Sequence, residues 1–326
     1  MKQIVFFGTP QIAASVLEYI MTHRIEMQVE VTLVVTAPDK PVGRKKILTP
    51  SAVKAMAQKH GLTVHTGKVG DEVVRGALRR ADHALLFAYG RIIPQDILDL
   101  PARGFINIHP SALPLYRGAS PICFPMLLGD RELGVTLMQM DAQLDHGPII
   151  VQESVPMICA TRDIVEHELA KVACEMLERE YSNPSSWIRQ AHHDSKHILV
   201  TTQIHTKATY TFQLSRDDGY VEWQIVQKLM RGEVLQAVEY PVILKKYIEK
   251  NPTHLPSLEQ PLTLQNLFNA LSPWPGLWTR MVLKGGEKRV KILSLRDGHI
   301  IHVQIEGKDP VDFEVFSREY LTLKSQ

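Results

Sequence analysis

Short apolar runs alternate with helical patterns through the first half of the chain. The runs are rich in β-branched and aromatic residues and are typical of buried strands. Strands separated by helices predict an α/β fold with a parallel-rich sheet covered on its faces. The strand candidates are Ile4–Phe7, Val31–Val35, Ala84–Ala88 and Phe105–Ile108, extended by Gly134–Met140 and Ile149–Pro156. Helices are predicted from Thr9-Pro10 to about His23, from Pro50 to about His60, and over Asp163–Tyr181.

The hydrophobic pattern changes after about Trp187. Residues 191–209 are polar and rich in His and Thr, which predicts a linker. From Thr279 onward, short apolar stretches are separated by Gly-containing turns, which predict hairpins and a small antiparallel β-barrel resembling an OB fold. We therefore predict a first domain over 1–190, a linker over 191–209, and a second domain over 210–326 with a helical insertion near 224–265.

Composition narrows the functional classes. The chain of 326 residues is 44% hydrophobic and 22% charged with a net charge of +2, so no global field attracts nucleic acid and any basic surface must be local. The three cysteines lack CxxC spacing and indicate neither a zinc site nor a disulfide framework. We see no signal peptide or membrane span, so we expect a cytoplasmic protein with no membrane partner. No Gly-rich dinucleotide fingerprint or phosphate loop is present.

Chemistry is concentrated where two predicted strands end. Asn107 and His109 lie two residues apart, so they face the same side of a strand. Asp141 and Asp145 follow the next strand, and we expect both loops to meet at the carboxyl edge of a parallel sheet. A carboxylate beside His109 would orient it, while the Asn amide would donate to a developing oxyanion. Such a group suits acyl transfer to an amine.

Bland interpretations of the same residues remain open. A strand-end Asn-x-His pair also fits a turn cap, and Asp145-His146-Gly147 also fits an ordinary turn. His146 is a rival base, but nothing in the sequence orients it. Cys123 has no His partner in its surroundings, which argues against a thiol nucleophile.

At these residues the sequence resembles the formyltetrahydrofolate-dependent formyltransferases, most closely the members that act on tRNA. The resemblance covers nearly the whole chain, and its motifs are together specific for formyl transfer. They are Val5–Pro10, Pro38–Lys46, Pro50–Lys54, Ala88–Pro94, Asn107–Pro121, Gly134–Asp141, Leu144–Gly147 and, typical of the tRNA-type members, Ser272–Gly276.

The resemblance implies a catalytic, folate-binding Rossmann-like domain followed by the small β-barrel domain. Asn107, His109 and Asp145 match the family's catalytic residues. The formyl donor would be 10-formyltetrahydrofolate, transfer would need no metal, and the acceptor would be the α-amine of methionine on initiator tRNA in translation initiation. A monomer is expected. The implied donor-binding residues are Ser111, Ala112, Leu113, Pro114, Ala88, Tyr89, Ile92 and Asp141.

Two basic groups are candidates for RNA binding. Arg44, Lys45 and Lys46 lie in a Pro/Gly-bounded loop that can reach tRNA phosphates. The carboxy-terminal strands carry further cations opposed only by Glu287 among their own residues. Solvated surface charge explains either group equally simply. The cations predicted to bind RNA on these strands are Arg280, Lys288, Arg289 and Lys291.

The sequence departs from the family at three positions of the site loops. His146 stands where Thr is usual, Ala112 replaces a Leu, and Leu115 replaces a basic residue. These departures, with the 224–265 segment, bear on the acceptor rather than on formyl transfer. The alternatives are therefore a formyltransferase acting on a nucleotide-linked amino sugar, or a non-catalytic relative that binds folate or RNA.

Overall fold

The computed structural model describes residues 1–43, 45–157, 160–183, 200–253, 261–283 and 286–321. The chain divides into two compact units, each built from several segments. Unit 1 comprises Met1–Arg117, Leu133–Val155 and Glu166–Ala208, and unit 2 comprises Gly118–Glu132, Pro156–Val165 and Thr209–Gln326. Residues 191–199 of the predicted linker lie outside the described residues. The predicted domain boundaries at 190 and 210 remain predictions.

Unit 1 is built on a seven-stranded sheet with the order β5-β2-β1-β6-β7-β8-β9. Its strands β1, β2, β5, β6 and β7 run parallel. The strands are β1 Lys2–Gly8, β2 Val29–Val35, β5 Val64–His65, β6 His83–Phe87, β7 Phe105–His109, β8 Glu132–Gln139 and β9 Ile149–Pro156, and a separate hairpin is formed by β3 Lys40–Val42 and β4 Ile47–Thr49. The helices of this unit are α1 Gln11–Thr22, α2 Ala52–Lys59, α3 Glu72–Arg80, α4 Gln95–Leu98 and most of α6 Arg162–Ser182, whereas α5 Cys123–Leu128 belongs to unit 2.

Continuous apolar runs become the buried central strands, as predicted. Every residue of β6 and β7 is buried, which is expected where helices cover both faces of a parallel sheet. Phe7 of β1 contacts the rings of Tyr89 and Phe105 at centroid distances of 5.3 and 5.2 Å. The parallel-rich α/β prediction is confirmed.

The direction of β8 differs from the prediction. β8 runs antiparallel to β7, with His109 opposite Thr136 and Ile106 opposite Gln139. The loop that carries Asp141 and Asp145 therefore leaves the sheet beside the start of β7, so its predicted origin at a carboxyl edge of parallel strands was wrong. The Met140 N–H donates to the Phe105 carbonyl at 2.9 Å, which holds the beginning of this loop at β7.

Unit 2 contains a four-stranded antiparallel sheet with the order β10-β11-β12-β13. Asp297 and Gly298 have φ of +51° and +77°, which is the backbone that a tight hairpin turn requires. The predicted small β domain is confirmed, and the described part of the 224–265 segment contains helices joined by turns and extended stretches. The elements are α7 Trp223–Met230, α8 Val242–Lys250, α9 Leu264–Leu271, β10 Leu277–Leu283, β11 Gly286–Arg296, β12 His299–Ile305, β13 Val311–Asp312 and α10 Phe313–Phe316.

Among the described residues, no helix is both long and apolar enough to cross a lipid bilayer. Cys123 and Cys174 are free and buried, and burial raises the pKa of each thiol to about 12. A thiol that holds its proton so firmly is a poor nucleophile. Cys159 lies outside the described residues.

Candidate active site

Asn107 and His109 are presented by the last residues of β7. The alternation of side chains along a strand places both on one face, as the sequence predicts. Only 6% of Asn107 and 4% of His109 is exposed. Two polar side chains in so buried a position need specific partners, because an unpaired buried polar group is costly.

Asp145 provides a partner for both side chains. The Asn107 Nδ2 donates to the Asp145 Oδ1 at 3.4 Å. The same oxygen lies 3.6 Å from the His109 Nδ1, with the Asp145 side chain 13% exposed. The carboxylate thus balances the charge of a protonated imidazole, although it does not hold the ring by a direct hydrogen bond. The structure brings together the three residues that the sequence predicts.

The second ring nitrogen of His109 fixes the tautomer. The His109 Nε2 lies 3.2 Å from the Tyr116 carbonyl oxygen. Because a carbonyl oxygen can only accept, Nε2 carries a hydrogen and donates it. Nδ1, on the side of Asp145, is therefore the nitrogen that can gain or lose a proton. An imidazole with one free nitrogen next to a carboxylate is suited to general acid–base catalysis.

The Asp145 turn has a backbone that few sequences allow. Asp145 has a φ of +47°, in the left-handed region that Asp tolerates better than most residues. At Gly147, an added Cβ would collide with the Gln139 carbonyl oxygen, so glycine is required there. The turn itself thus requires the glycine and accommodates Asp145, independently of catalysis.

His146 is oriented, contrary to the expectation from the sequence. Its Nδ1 donates to the Asp141 Oδ2 at 2.7 Å. Its ring stacks on that of His205, with the centroids 4.0 Å and the planes 5° apart. The stacked partner comes from the predicted linker, 59 positions further along the chain, which is why the local sequence carried no sign of it. The predicted role of Asp141 in donor binding remains a prediction.

Three residues outside the predicted site contact the Asp145 turn or the loop after β7. Arg117 is 2% exposed, and its Nη2 donates to the Gln203 Oε1 at 2.6 Å. The Gln203 Nε2 donates to the carbonyl oxygens of Asp145 and Gly147 at 2.9 and 2.8 Å. The Arg117 Nη2 also lies 2.9 Å from the His205 Nδ1. A polar linker pattern gave no reason to single out Gln203 or His205.

The predicted donor-binding residues after β6 differ widely in their exposure. Ala88 has a φ of +48° and turns the chain sharply at the end of the strand. Tyr89 is buried, and its hydroxyl has no hydrogen-bond partner in the described part of the chain. Ile92 is 90% exposed, which is unusual for so large an apolar side chain. Whether these residues bind the donor stays a prediction.

The turn after His109 is held by hydrogen bonds and close packing. The Ser111 Oγ donates to the Leu115 carbonyl at 2.7 Å, and the Leu113 N–H donates to the Thr136 Oγ1 at 3.3 Å. At Gly134 of β8, an added Cβ would collide with the backbone of Ala112, so the strand approaches the turn closely. Ser111, Ala112, Leu113 and Pro114 are thus held in place, and their role in donor binding remains predicted.

The basic hairpin of unit 1 is exposed. Residues of β3 and β4 lie on the surface, as do Lys45 and Lys46 in the connecting turn. Lys46 has a φ of +49°. Arg44 lies outside the described residues.

The basic strands of unit 2 carry more opposing charge than the sequence of the strands suggested. Arg280 pairs with Glu287 at 3.0 Å, and the Arg289 Nη2 lies 3.6 Å from the Glu306 Oε1. The Arg289 guanidinium stacks over the Trp278 ring at 4.9 Å from its centroid. A cavity of about 310 Å³ collects these side chains, and its lining is Arg216, Asp217, Trp278, Arg280, Glu287, Lys288, Arg289 and Glu306. Lys291 is exposed next to this group on β11.

No cluster of three or more His, Cys, Asp or Glu side chains suited to a metal occurs in the part of the chain that the structure describes.

Comparison with known proteins places the chain in a family. The model of the family described as formyl transferase matches residues 1–179. A methionyl-tRNA formyltransferase from Dehalococcoides mccartyi is 31% identical over 94% of this chain and 92% of its own length. The protein of the same name from Roseiflexus sp. (strain RS-1) is 37% identical over 68% of this chain and 66% of its own length.

A solved structure shows the same fold at low sequence identity. The N-formyltransferase from Helicobacter canadensis, crystallised with folinic acid and dTDP-3-aminofucose, is 17% identical and superimposes with a TM-score of 0.55 over 94% of this chain and 95% of that one. The predicted formyltransferase resemblance is confirmed by the matched family and by the length of the matched relatives. This chain belongs to the formyl transferase family.

Proposed function

We propose that this enzyme transfers a formyl group from 10-formyltetrahydrofolate to the α-amine of methionine on initiator tRNA. The observation that carries the proposal is the buried group formed by His109, Asn107 and Asp145, in a chain that matches methionyl-tRNA formyltransferases along 94% of its length. The proposal includes a cytoplasmic, monomeric enzyme.

The reaction exchanges one amide bond for another. The formyl carbon gains a bond to the methionine nitrogen and loses its bond to N10 of the folate, while one proton moves from the attacking nitrogen to the departing one. His109 accepts that proton at Nδ1 and returns it, and Asp145 balances the imidazolium charge. One Asn107 amide hydrogen is directed at Asp145, which leaves the other to donate to the formyl oxygen as it gains negative charge.

The residues beside the catalytic group suit the donor. 10-Formyltetrahydrofolate supplies the formyl group and presents a flat, polar ring system. The exposed Ile92 offers an apolar surface, the exposed backbone turn at Ala88 offers polar groups, and the buried Tyr89 follows Ala88 in the chain. We propose that these residues and the turn from Ser111 to Pro114, with Asp141, bind the donor.

The basic residues suit the tRNA backbone. We propose that Lys45 and Lys46, with Arg44, contact phosphates near the acceptor end, since basic side chains position a nucleic acid without specifying its bases. Lys288 and Lys291, with the stacked Arg289, provide a second contact surface on unit 2.

The direct test supplies the donor with three acceptors in parallel: charged initiator tRNA, charged elongator methionine tRNA, and nucleotide-linked amino sugars. Tetrahydrofolate release and formyl-methionine formation are both measured. We expect rapid transfer to initiator tRNA alone. Transfer to an amino sugar and none to tRNA would contradict the proposed acceptor. Tight folate binding without transfer to any acceptor would contradict the proposed enzyme activity itself.

A further inference from the structure

The Gln203 side chain joins the two loops that contact His109. One loop follows β7 and ends at Arg117, next to Tyr116, whose carbonyl accepts from the His109 Nε2. The other loop carries Asp145, which faces the His109 Nδ1. Gln203 lies between them, 4% exposed, and hydrogen-bonds to both.

The orientation of the Gln203 amide is dictated by its partners. Arg117 donates to the Oε1 from Nη2 at 2.6 Å and from Nε at 3.2 Å, and a guanidinium cannot accept. The Nε2 faces the carbonyl oxygens of Asp145 and Gly147, which cannot donate. A flipped amide would place donor against donor on one side and acceptor against acceptor on the other. The amide is therefore the one uncharged group of this size that satisfies every partner.

The Gln203 amide hydrogen-bonds to the backbone on both sides of His146. Its two acceptors are the carbonyls of residues 145 and 147, so a single side chain fixes the whole Asp-His-Gly turn. Asp145 itself has a φ of +47°, a backbone state that persists only where surrounding contacts maintain it. The Asp145 Oδ1 lies 3.6 Å from the His109 Nδ1, which is close to the longest distance of an ion pair. A movement of this turn by a fraction of an ångström would therefore weaken that pair.

We propose that Gln203 is a positioning residue for the formyl transfer reaction, acting by holding the Asp145 carboxylate at its working distance from His109. This inference rests on the proposed function, because it assigns the catalytic role to that pair. Arg117 acts with Gln203, since it orients the amide and at the same time fixes the loop that carries the Tyr116 carbonyl.

The sharpest substitution is Gln203→Glu. It keeps the size of the side chain and the interaction with Arg117, but it replaces the donor that faces two carbonyl oxygens with a repelling acceptor. We expect kcat to fall by about 10-fold with KM for donor and acceptor changed less than about 3-fold, because the loss falls on the chemical step. The matched control is Gln265→Glu, which changes a half-buried amide in unit 2 and should leave kcat unaltered.

A double-mutant cycle separates positioning from general structural support. In an Asp145→Asn background the carboxylate charge is gone while the backbone carbonyl that accepts from Gln203 remains. If Gln203 acts through the carboxylate, Gln203→Glu should lower kcat by less than about 2-fold in that background. An equal loss in both backgrounds, or an unchanged kcat in the single variant, would overturn the proposal.

An activity-independent measurement keeps the outcome distinct from that of the proposed function. Backbone amide exchange across 141–148 should accelerate in Gln203→Glu and remain as in the wild type in Gln265→Glu, with either acceptor or none. Unchanged exchange in this segment would contradict the proposal. A wild-type enzyme that ignores tRNA but formylates another amine would refute the proposed acceptor and leave the double-mutant cycle to be run with that amine.

Discussion

His109 has two different environments at its two ring nitrogens. One nitrogen is committed to the Tyr116 carbonyl, and the other faces a carboxylate at 3.6 Å. This difference between the two nitrogens is the geometry that the proposed acid–base role requires, because Nε2 already donates its hydrogen and Nδ1 faces the carboxylate. Asn107, two residues earlier on the same strand, places an amide against the same carboxylate.

Removing either member of the pair tests this role. We expect His109→Ala and Asp145→Ala each to lower kcat about 10²-fold or more, and the double variant to be little worse than either, since the residues act as a unit. His167→Ala, which changes an exposed histidine on α6, is the control. Single-turnover rates of formyl transfer provide the measurement, and near wild-type rates in both single variants would sink the mechanism.

A second histidine makes folding stability depend on pH. His83 is fully buried in β6, its Nε2 lies 2.5 Å from the Tyr181 hydroxyl, and burial lowers its pKa to about 3. Because the folded value lies below the ordinary value of about 6.5, the unfolded chain binds a proton between these limits that the folded chain does not. The folded state therefore has its full stability above the ordinary histidine pKa of about 6.5, and it loses stability as the pH falls below that value.

Denaturant titrations at a series of pH values measure this effect. Below about pH 6.5 the unfolding free energy of the wild type should fall by up to about 1.4 kcal/mol per pH unit from His83 alone. His83→Gln, which cannot be protonated but can still hydrogen-bond to Tyr181, should show a shallower decline. His299→Gln, in an exposed position, should follow the wild type. Parallel curves for His83→Gln and the wild type would contradict the assignment.

Elements differ in how far the sequence determines them. The central strands β1, β6 and β7 are mostly apolar and are therefore readily predicted as buried strands, and the hairpins of unit 2 follow from turns such as Asp297-Gly298. The direction of β8 could not be read in the same way, because a buried strand has the same apolar pattern whether it runs parallel or antiparallel.

The residues of the candidate site also differ in how far the sequence predicts them. Asn107 and His109 could be predicted because two residues on one strand have a fixed spatial relation. Without the family resemblance, Asp145 could be predicted only as one of two carboxylates that follow a strand, the other being Asp141. Gln203 and the stack of His146 on His205 depend on a contact between distant segments, and a polar stretch has no periodicity from which such a contact can be read.

Asp218 joins two elements of unit 2 and offers a test at this scale. Its buried side chain accepts from the Ser215 N–H and the Lys246 Nζ, at 2.6 and 2.7 Å. Burial acts to raise the pKa of Asp218, but the hydrogen bonds from Lys246 and Ser215 outweigh it and hold the pKa below its usual range. Its contribution to stability is therefore present above the ordinary pKa of about 3.9 and is lost as the pH falls below it.

We expect Asp218→Asn to lower the unfolding free energy of the chain by about 1.5–3 kcal/mol, because charged hydrogen bonds are lost inside the unit. Asp217→Asn changes the exposed neighbour and should alter stability by less than about 0.5 kcal/mol. Thermal unfolding followed by circular dichroism compares the two, and equal melting temperatures for both variants would show that the Lys246 pair contributes nothing.

At the scale of the whole molecule, charge is nearly balanced. The net charge is +2, and two cations of unit 2, Arg280 and Arg289, are paired with Glu287 and Glu306. Any attraction to RNA must therefore come from small groups of basic residues rather than from a long-range field. Binding through phosphate contacts weakens as salt is added, and the steepness of that loss reflects the number of contacts.

Raising KCl from about 50 to about 200 mM should increase KM for charged tRNA more than about 10-fold and KM for the folate donor less than about 3-fold. The doubly substituted variant Lys45→Ala/Lys46→Ala should lower the slope of log KM against log salt by about 2. Lys68→Ala/Lys171→Ala, which changes exposed lysines elsewhere in unit 1, is the matched control. Equal slopes in all three proteins would remove the hairpin from the RNA contact surface.

The return of residues 200–208 to unit 1 has a practical consequence for dissecting the enzyme. Thr201 pairs with Ile149 at the start of β9, and Gln203 hydrogen-bonds to the Asp145 turn. Thr201 and Gln203 nevertheless lie beyond residue 179, where the match to the family ends. A truncated protein cut at the family boundary would retain Asn107, His109 and Asp145 while leaving their scaffold unfinished. If such a fragment were inactive, the loss of the contacts made by Thr201 and Gln203 would be enough to explain it. The result would not show whether the carboxy-terminal strands are needed for chemistry.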